Sequence, residues 1–258
     1  MSNILTIKDL SFKYEKDNIF DLFNLNVKRG ELIYIISPNK SGKSTLIKLF
    51  DEYPYSGDIL IDNLQICRSN MTKIRQRLKL IDINAVSECK LKNIVDKINE
   101  LSGDNDDIRK DYQLLNISDN DFRKLNILEK IKVSVFINLI NNPDLLIIES
   151  VLEYLDNTDK NIMYSLIKKY NRKNKTTIII LNNKSYGMIY CKRIILLNMG
   201  NILFDGSLKD VEKNDDVFND LSIELPFMLD LSIKLKLYDL IDNIYTDEKR
   251  MIKEIWKK

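Results

Sequence analysis

The sequence predicts an α/β fold on a mostly parallel sheet, and three observations predict it. Short runs of β-forming residues recur along the chain. Amphipathic helical patterns lie between them. One loop of small and polar residues joins a buried strand to a helix. In order, residues 4–14 alternate imperfectly and read as an edge strand. Residues 31–36, after Gly30, read as a buried strand, and residues 44–50 as a helix. Further strand signals fall at 58–61, 78–83, 145–148 and 177–181, and residues 193–204 read as a hairpin turning near Gly200. Leu91, Ile94, Val95, Ile98 and Leu101 share one helical face that stops at Gly103, where a polar loop begins at Asp104. A second amphipathic helix spans about 159–170. Residues 90–142 look like a helical insertion, and after 212 the pattern becomes a helical tail. There Pro226 and Thr246 open helices, and Lys257 and Lys258 suit the C-terminal end of a helix dipole.

Composition excludes several chemistries. The 258 residues contain no histidine, so Ser-His-Asp and Cys-His nucleophiles, His-ligated zinc and an imidazole switch are ruled out. Cys67, Cys89 and Cys191 are far apart with no CxxC, which fits a reducing cytoplasm. A net charge of +2 makes no case for nucleic-acid binding. The start reads as no secretory leader, and the longest apolar runs fall far short of the roughly 20 residues that span a bilayer. Glycine is scarce: 7 are present, where average usage would give about 18.

The sharpest motif is Ser37-Pro38-Asn39-Lys40-Ser41-Gly42-Lys43-Ser44-Thr45, between the buried strand and a helix. Backbone N–H groups of such a loop wrap a phosphate chain. Gly42 permits close approach, Lys43 neutralises the outer phosphates, and the Ser44 hydroxyl can hold Mg²⁺. The strict pattern fails at Ser37, which stands where a glycine is required.

Here the sequence resembles the nucleotide-binding subunits of ABC transporters, whose loop reads GPNGSGKST; seven of those nine residues are present, and the glycines are replaced by Ser37 and Lys40. The resemblance covers about residues 1–212. It implies ATP and Mg²⁺ as ligands. It also implies a P-loop ABC-ATPase fold, with a mixed-sheet core, an antiparallel edge subdomain and a helical subdomain near 84–142. Tyr14 stands where the family stacks an aromatic ring on adenine, or else it packs in the core. Residues 142–156 look like the family stretch PDLLILDEPTSGLD. Ungapped, Glu149 takes the Mg²⁺-side carboxylate position and Ser150 the position of the glutamate that polarises water; a one-residue slip would make Glu149 that base. A serine hydroxyl is no base at neutral pH. The switch histidine maps to Asn182, and the signature LSGGQ maps to residues 125–129, with Ile127, Leu128 and Glu129 where the family has small or neutral residues. No glutamine stands near residues 82–84, where the family places one.

Two such subunits pack head to tail, so the resemblance implies a second ABC ATPase subunit, as a homodimer or preferably a heterodimer, and a transmembrane coupling subunit. Residues 213–258 are similar to the C-terminal extension of energy-coupling-factor ATPases, which dimerises. Phe227, Met228, Leu231 and Leu235 form one apolar stripe there, and Met251, Ile252, Ile255 and Trp256 another; packing on the parent domain and dimer contact both remain open. The expectation is an ATP-binding importer subunit, peripheral on the cytoplasmic membrane face, with impaired hydrolysis. A fully active ATPase and a scaffold that binds no nucleotide are the competing readings.

Overall fold

The computed structural model describes residues 2–15, 17–51, 55–88, 91–103, 105–174 and 177–256. Cys89, Asp104, Lys257 and Lys258 lie outside these described residues. In chain order the strands and helices are β1 (Asn3–Tyr14), β2 (Asp17–Lys28), β3 (Leu32–Ile36), α1 (Lys43–Lys48), β4 (Ser56–Ile61), β5 (Leu64–Gln65), α2 (Met71–Arg77) and β6 (Leu78–Ile81). A helical stretch follows: α3 (Ile83–Glu88), α4 (Ile94–Ser102), α5 (Asp106–Gln113) and α6 (Ile127–Asn141). The core then resumes with β7 (Leu145–Glu149), α7 (Asn157–Asn174), β8 (Thr177–Asn182), β9 (Arg193–Asn198) and β10 (Asn201–Gly206). The tail is α8 (Leu208–Val211), α9 (Asp215–Asp220), α10 (Phe227–Leu237) and α11 (Glu248–Ile255).

One sheet has the order β10-β9-β3-β8-β7-β6, parallel except for the edge strand β10. The other is antiparallel, in the order β2-β1-β4-β5. The parallel strands are apolar on both faces because both faces are covered. Tyr34, Ile148 and Ile180 point into a core shared with α6 and α7, whereas Ile35, Ile147 and Ile179 point toward the antiparallel sheet.

β1 corrects one expectation. It pairs with β2 on one side and β4 on the other, so it is an interior strand and not an edge. Its imperfect alternation comes from register shifts along both ladders, which turn side chains to the opposite face. The start of α11 also differs: the cap is Asp247, whose side chain accepts from Arg250 N, rather than Thr246.

The tail is not separate from the core. Phe218, Ile223, Leu229 and Ile233 join the same buried cluster as Phe204 and Val211. The buried residues of α10 are thus Leu229, Ser232 and Ile233, while Phe227 is 74% exposed and Met228, Leu231 and Leu235 are half-buried. In α11 Met251 is buried and Trp256 is 84% exposed just beyond the helix end. No helix among the described residues is long and apolar enough to cross a membrane.

Candidate functional site

The parallel strands end on one side of the sheet, and the chemistry collects there. β3 runs into residues 37–42, and α1 starts at Lys43. A cleft of about 690 Å³ opens above this loop, lined by Pro38, Asn39, Lys40, Ser41, Gly42, Lys43, Ser44 and Thr45, together with Asp17, Ile19, Glu149, Ser150 and Asn183. Gly42 has φ 99, a left-handed backbone that L side chains rarely adopt. The N–H groups at the start of α1 have no partner within the helix. The Ser41 hydroxyl is buried without a hydrogen-bond partner, as is that of Ser37 beneath the loop.

The two glycine replacements differ in effect. Ser37 is fully buried and is not among the residues with positive φ, so its side chain fits without backbone strain. Lys40 is exposed and sits at φ 63. That conformation costs an L residue roughly 1–2 kcal/mol, which the added freedom of an unfolded glycine partly offsets. Lys40→Gly is therefore expected to stabilise the chain by about 0.5–1 kcal/mol, seen as a small rise in the midpoint of thermal unfolding.

Lys43 is almost fully buried. Its Nζ donates to Ser150 Oγ at 3.1 Å and to Asn183 Oδ1. Desolvation lowers its pKa, opposed by the charges of Glu153 and Glu149. Ser44 Oγ donates to Glu149 Oε1 at 3.2 Å. Burial raises the Glu149 pKa, against the pull of Lys43 and the Ser44 bond. Glu149 thus meets the hydroxyl suited to a divalent cation, and Ser150 meets the lysine. The described residues contain no cluster of three His, Cys, Asp or Glu side chains that could hold a metal. A cation would have to share Ser44 and Glu149 with the phosphates.

Asn182 is the clearest displacement from expectation. Its side chain is buried away from the cleft and its Nδ2 donates to the hydroxyls of Tyr34 at 3.0 Å and Tyr164 at 3.3 Å. Asn182 pairs with Ile36 as the last residue of β8, and alternation puts it on the same face as Ile178 and Ile180. The residue that reaches the cleft is Asn183, just beyond the strand. Its side chain contacts both Lys43 and Asn39, and its N–H donates to Glu153 Oε1 at 2.7 Å. Tyr14 lies at the end of β1, 39% exposed, edge-on to Phe12 at 4.8 Å. It is not among the residues that line the cleft; Asp17 and Ile19 of the adjoining strand are. Period-2 counting along β8 would have found Asn183, but Glu153 and Asp17 carried no sequence signal.

The segment 125–129 forms the start of α6. Asn126 and Glu129 close a capping box, and Glu129 also accepts from Ser118 N at 2.7 Å. Burial opposes ionisation of Glu129, but hydrogen bonds from Ser118 and Asn126 outweigh it and hold its pKa below the ordinary value. The helix end is thus occupied by the chain's own carboxylate, with Ile127 and Leu128 exposed beside it. Glu129→Ala is expected to cost about 1–2 kcal/mol at neutral pH. Because the folded pKa is depressed, this contribution is full above the unfolded value of about 4.3 and fades as pH falls through the folded one. Denaturant melts of both proteins at pH 7 and pH 3 should show the gap closing.

A glycine-lysine loop between a parallel strand and a helix, with a carboxylate at the end of the next strand but one facing its serine, defines a P-loop nucleotide-binding cassette. The chain belongs to the ABC transporter family, whose model matches residues 20–151, just over half of the 258 residues. It is 26% identical to the energy-coupling factor transporter ATP-binding protein EcfA1 of Staphylococcus epidermidis, over 98% of each chain. It is 27% identical to the protein of the same name from Mycoplasma mobile, over 98% of this chain and 97% of that one. Among solved structures, cbiO1 from Clostridium perfringens, part of the ABC transporter complex cbiONQ, superposes with a TM-score of 0.69 at 22% identity, covering 88% of this chain and 97% of that one. A dimeric cassette, MJ0796 bound to ADP and Pi, superposes at 0.63 with 21% identity, covering 79% and 98%.

Proposed function

We propose that the chain is the ATP-binding subunit of an energy-coupling-factor-like importer, with a hydrolytic site of its own that turns over slowly. The observation that supports it most is the combination in one cleft. Lys43, Ser44 and Glu149 are assembled for a Mg²⁺-nucleotide, while the position beside Glu149 carries the Ser150 hydroxyl, bound to Lys43 instead of a free carboxylate. Mg²⁺, when bound, neutralises the outer phosphates; Ser44 and Glu149 are the residues that would hold it. Lys43 exchanges its bonds to Ser150 and Asn183 for phosphate oxygens.

The second half of the reading concerns assembly. The relatives are named as transporter ATP-binding proteins, which supports a head-to-tail pairing with a second ABC ATPase subunit, a transmembrane coupling subunit, and a place on the cytoplasmic membrane face. In such a pair the self-capped start of α6, with Glu129 inside it, offers little to a partner's terminal phosphate. A heterodimer with a chain that keeps the catalytic letters follows from this. The exposed Phe227 and Trp256 supply apolar surface for that contact.

The test is equilibrium ATP binding with Mg²⁺, followed by turnover of the complex that co-purifies with the chain. Binding below millimolar ATP with slow turnover is expected. No binding at millimolar ATP would make the chain a scaffold. Fast turnover abolished by Lys43→Ala would mean a fully active site.

A further inference from the structure

Ser150 cannot take a proton from water, yet a carboxylate stands one turn away from it. After β7 the chain makes a short 3₁₀ turn over Val151–Tyr154, in which Glu153 N donates to Ser150 O at 3.2 Å. Ser150 itself precedes the turn with a left-handed backbone, φ 53, so the link between it and Glu153 is this backbone bond. Its Oε1 accepts from the N–H of Asn183 at 2.7 Å, and the Asn183 side chain holds Lys43. Glu153 is half-buried, so solvent reaches it. Its charge also acts on Lys43, ahead of that of Glu149. Ser150, Asn183 and Lys43 all line the cleft above the loop. Glu153 is thus hydrogen-bonded to Asn183 and acts electrostatically on Lys43, two of the groups that would surround a terminal phosphate; it is not itself among the residues that line the cleft, and it has a second oxygen beyond the one that accepts from Asn183.

We propose that Glu153 is the catalytic carboxylate of this site, displaced by one 3₁₀ turn from the position Ser150 occupies. This rests on the reading of the cleft as an ATP site. The water oxygen forms a bond to the γ-phosphorus as the bond from that phosphorus to the β–γ bridging oxygen breaks. The proton of the water passes to the free oxygen of Glu153, and ADP leaves with the electron pair on the bridging oxygen. Asn183 positions the carboxylate through its N–H, and the Ser150 hydroxyl hydrogen-bonds the water. The displacement lengthens the path for the proton, which accounts for a slow rather than an absent turnover.

The isosteric variant Glu153→Gln separates chemistry from structure. Its amide oxygen still accepts from Asn183 N–H, so the turn and the fold are kept, but the group can no longer take a proton. The experiment uses the full chain with its co-purifying subunits, radiolabelled Mg²⁺-ATP, and single-turnover release of phosphate. Lys43→Ala defines the background that does not come from this cleft. Glu153→Gln is expected to lower the Lys43-dependent rate by roughly 10²-fold, while ATP affinity stays within about twofold and the thermal midpoint is unchanged. A Lys43-dependent rate in Glu153→Gln within about threefold of the parent overturns the proposal, since loss of a base cannot be that mild. It is overturned as well if the parent has no Lys43-dependent turnover, or if Glu153→Gln fails to bind ATP. A parent chain that binds no ATP overturns the nucleotide reading itself, and is told apart by the binding measurement alone.

Discussion

Lys43→Ala is expected to weaken Mg²⁺-ATP binding by about 10²-fold while leaving the fold in place. Lys43 is the one lysine in the cleft that is almost fully buried, 8% exposed, and desolvation has lowered its pKa. A poorly solvated cation gains more from a phosphate than an exposed one does. Hydrogen bonds to charged groups contribute about 1.5–3 kcal/mol each, and about 2.7 kcal/mol corresponds to a hundredfold in affinity. The two bonds the variant removes, to Ser150 and Asn183, are made to neutral atoms at the edge of an open cleft. Water can replace them, so the thermal midpoint should shift by no more than about 3 °C. Isothermal titration gives the affinity; a dissociation constant within about threefold of the parent would deny Lys43 its role.

Gly200→Ala is expected to cost the most stability of any conservative change near the site, about 3 kcal/mol or more. Gly200 turns the hairpin between β9 and β10 at φ 73, and its N–H donates to Ser41 O at 3.0 Å. A Cβ there would lie 1.8 Å from the carbonyl oxygen of Ile19. The neighbour is backbone of β2, so no rotamer change relieves the overlap. Either the hairpin or β2 must move, and Ile19 of β2 lines the cleft. The thermal midpoint should fall by about 10 °C for a chain of this size. ATP affinity should fall with it, because the Ser41 carbonyl loses its support. A melt unchanged within about 2 °C would show that the hairpin tip yields freely.

Both predictions turn on residues that are visible in the sequence, and the contrast with those that were not is physical. The loop at 37–45, the strand before it and the strand ending at Glu149 are local patterns, each read from adjacent letters. The hairpin at Gly200 and the end of α4 at Gly103 are local too. β1 was read as an edge because pairing on its second side depends on β4, more than forty residues away, and its alternation is broken by register shifts. Asn182 and Asn183 are identical letters, and only the facing of β8 tells them apart. The place of Glu153 beside Asn183 carries no local signal, because it arises from the folding of the turn onto the end of a different strand. Of the apolar stripe Phe227, Met228, Leu231 and Leu235, Phe227 is exposed and the other three are half-buried. Burial on this chain falls instead to Leu229 and Ile233, which join the buried cluster that also holds Phe204 and Val211.

That last packing sets the fate of any chain that ends early. Release after residue 212 would remove Phe218, whose ring meets that of Phe204 at 5.4 Å, and would open Phe204, now 7% exposed, to water. The truncated product would carry an apolar scar on the surface of an otherwise finished cassette. Such surfaces are what chaperones hold and proteases sort, and a loss of about 1–2 kcal/mol is enough to change abundance several-fold.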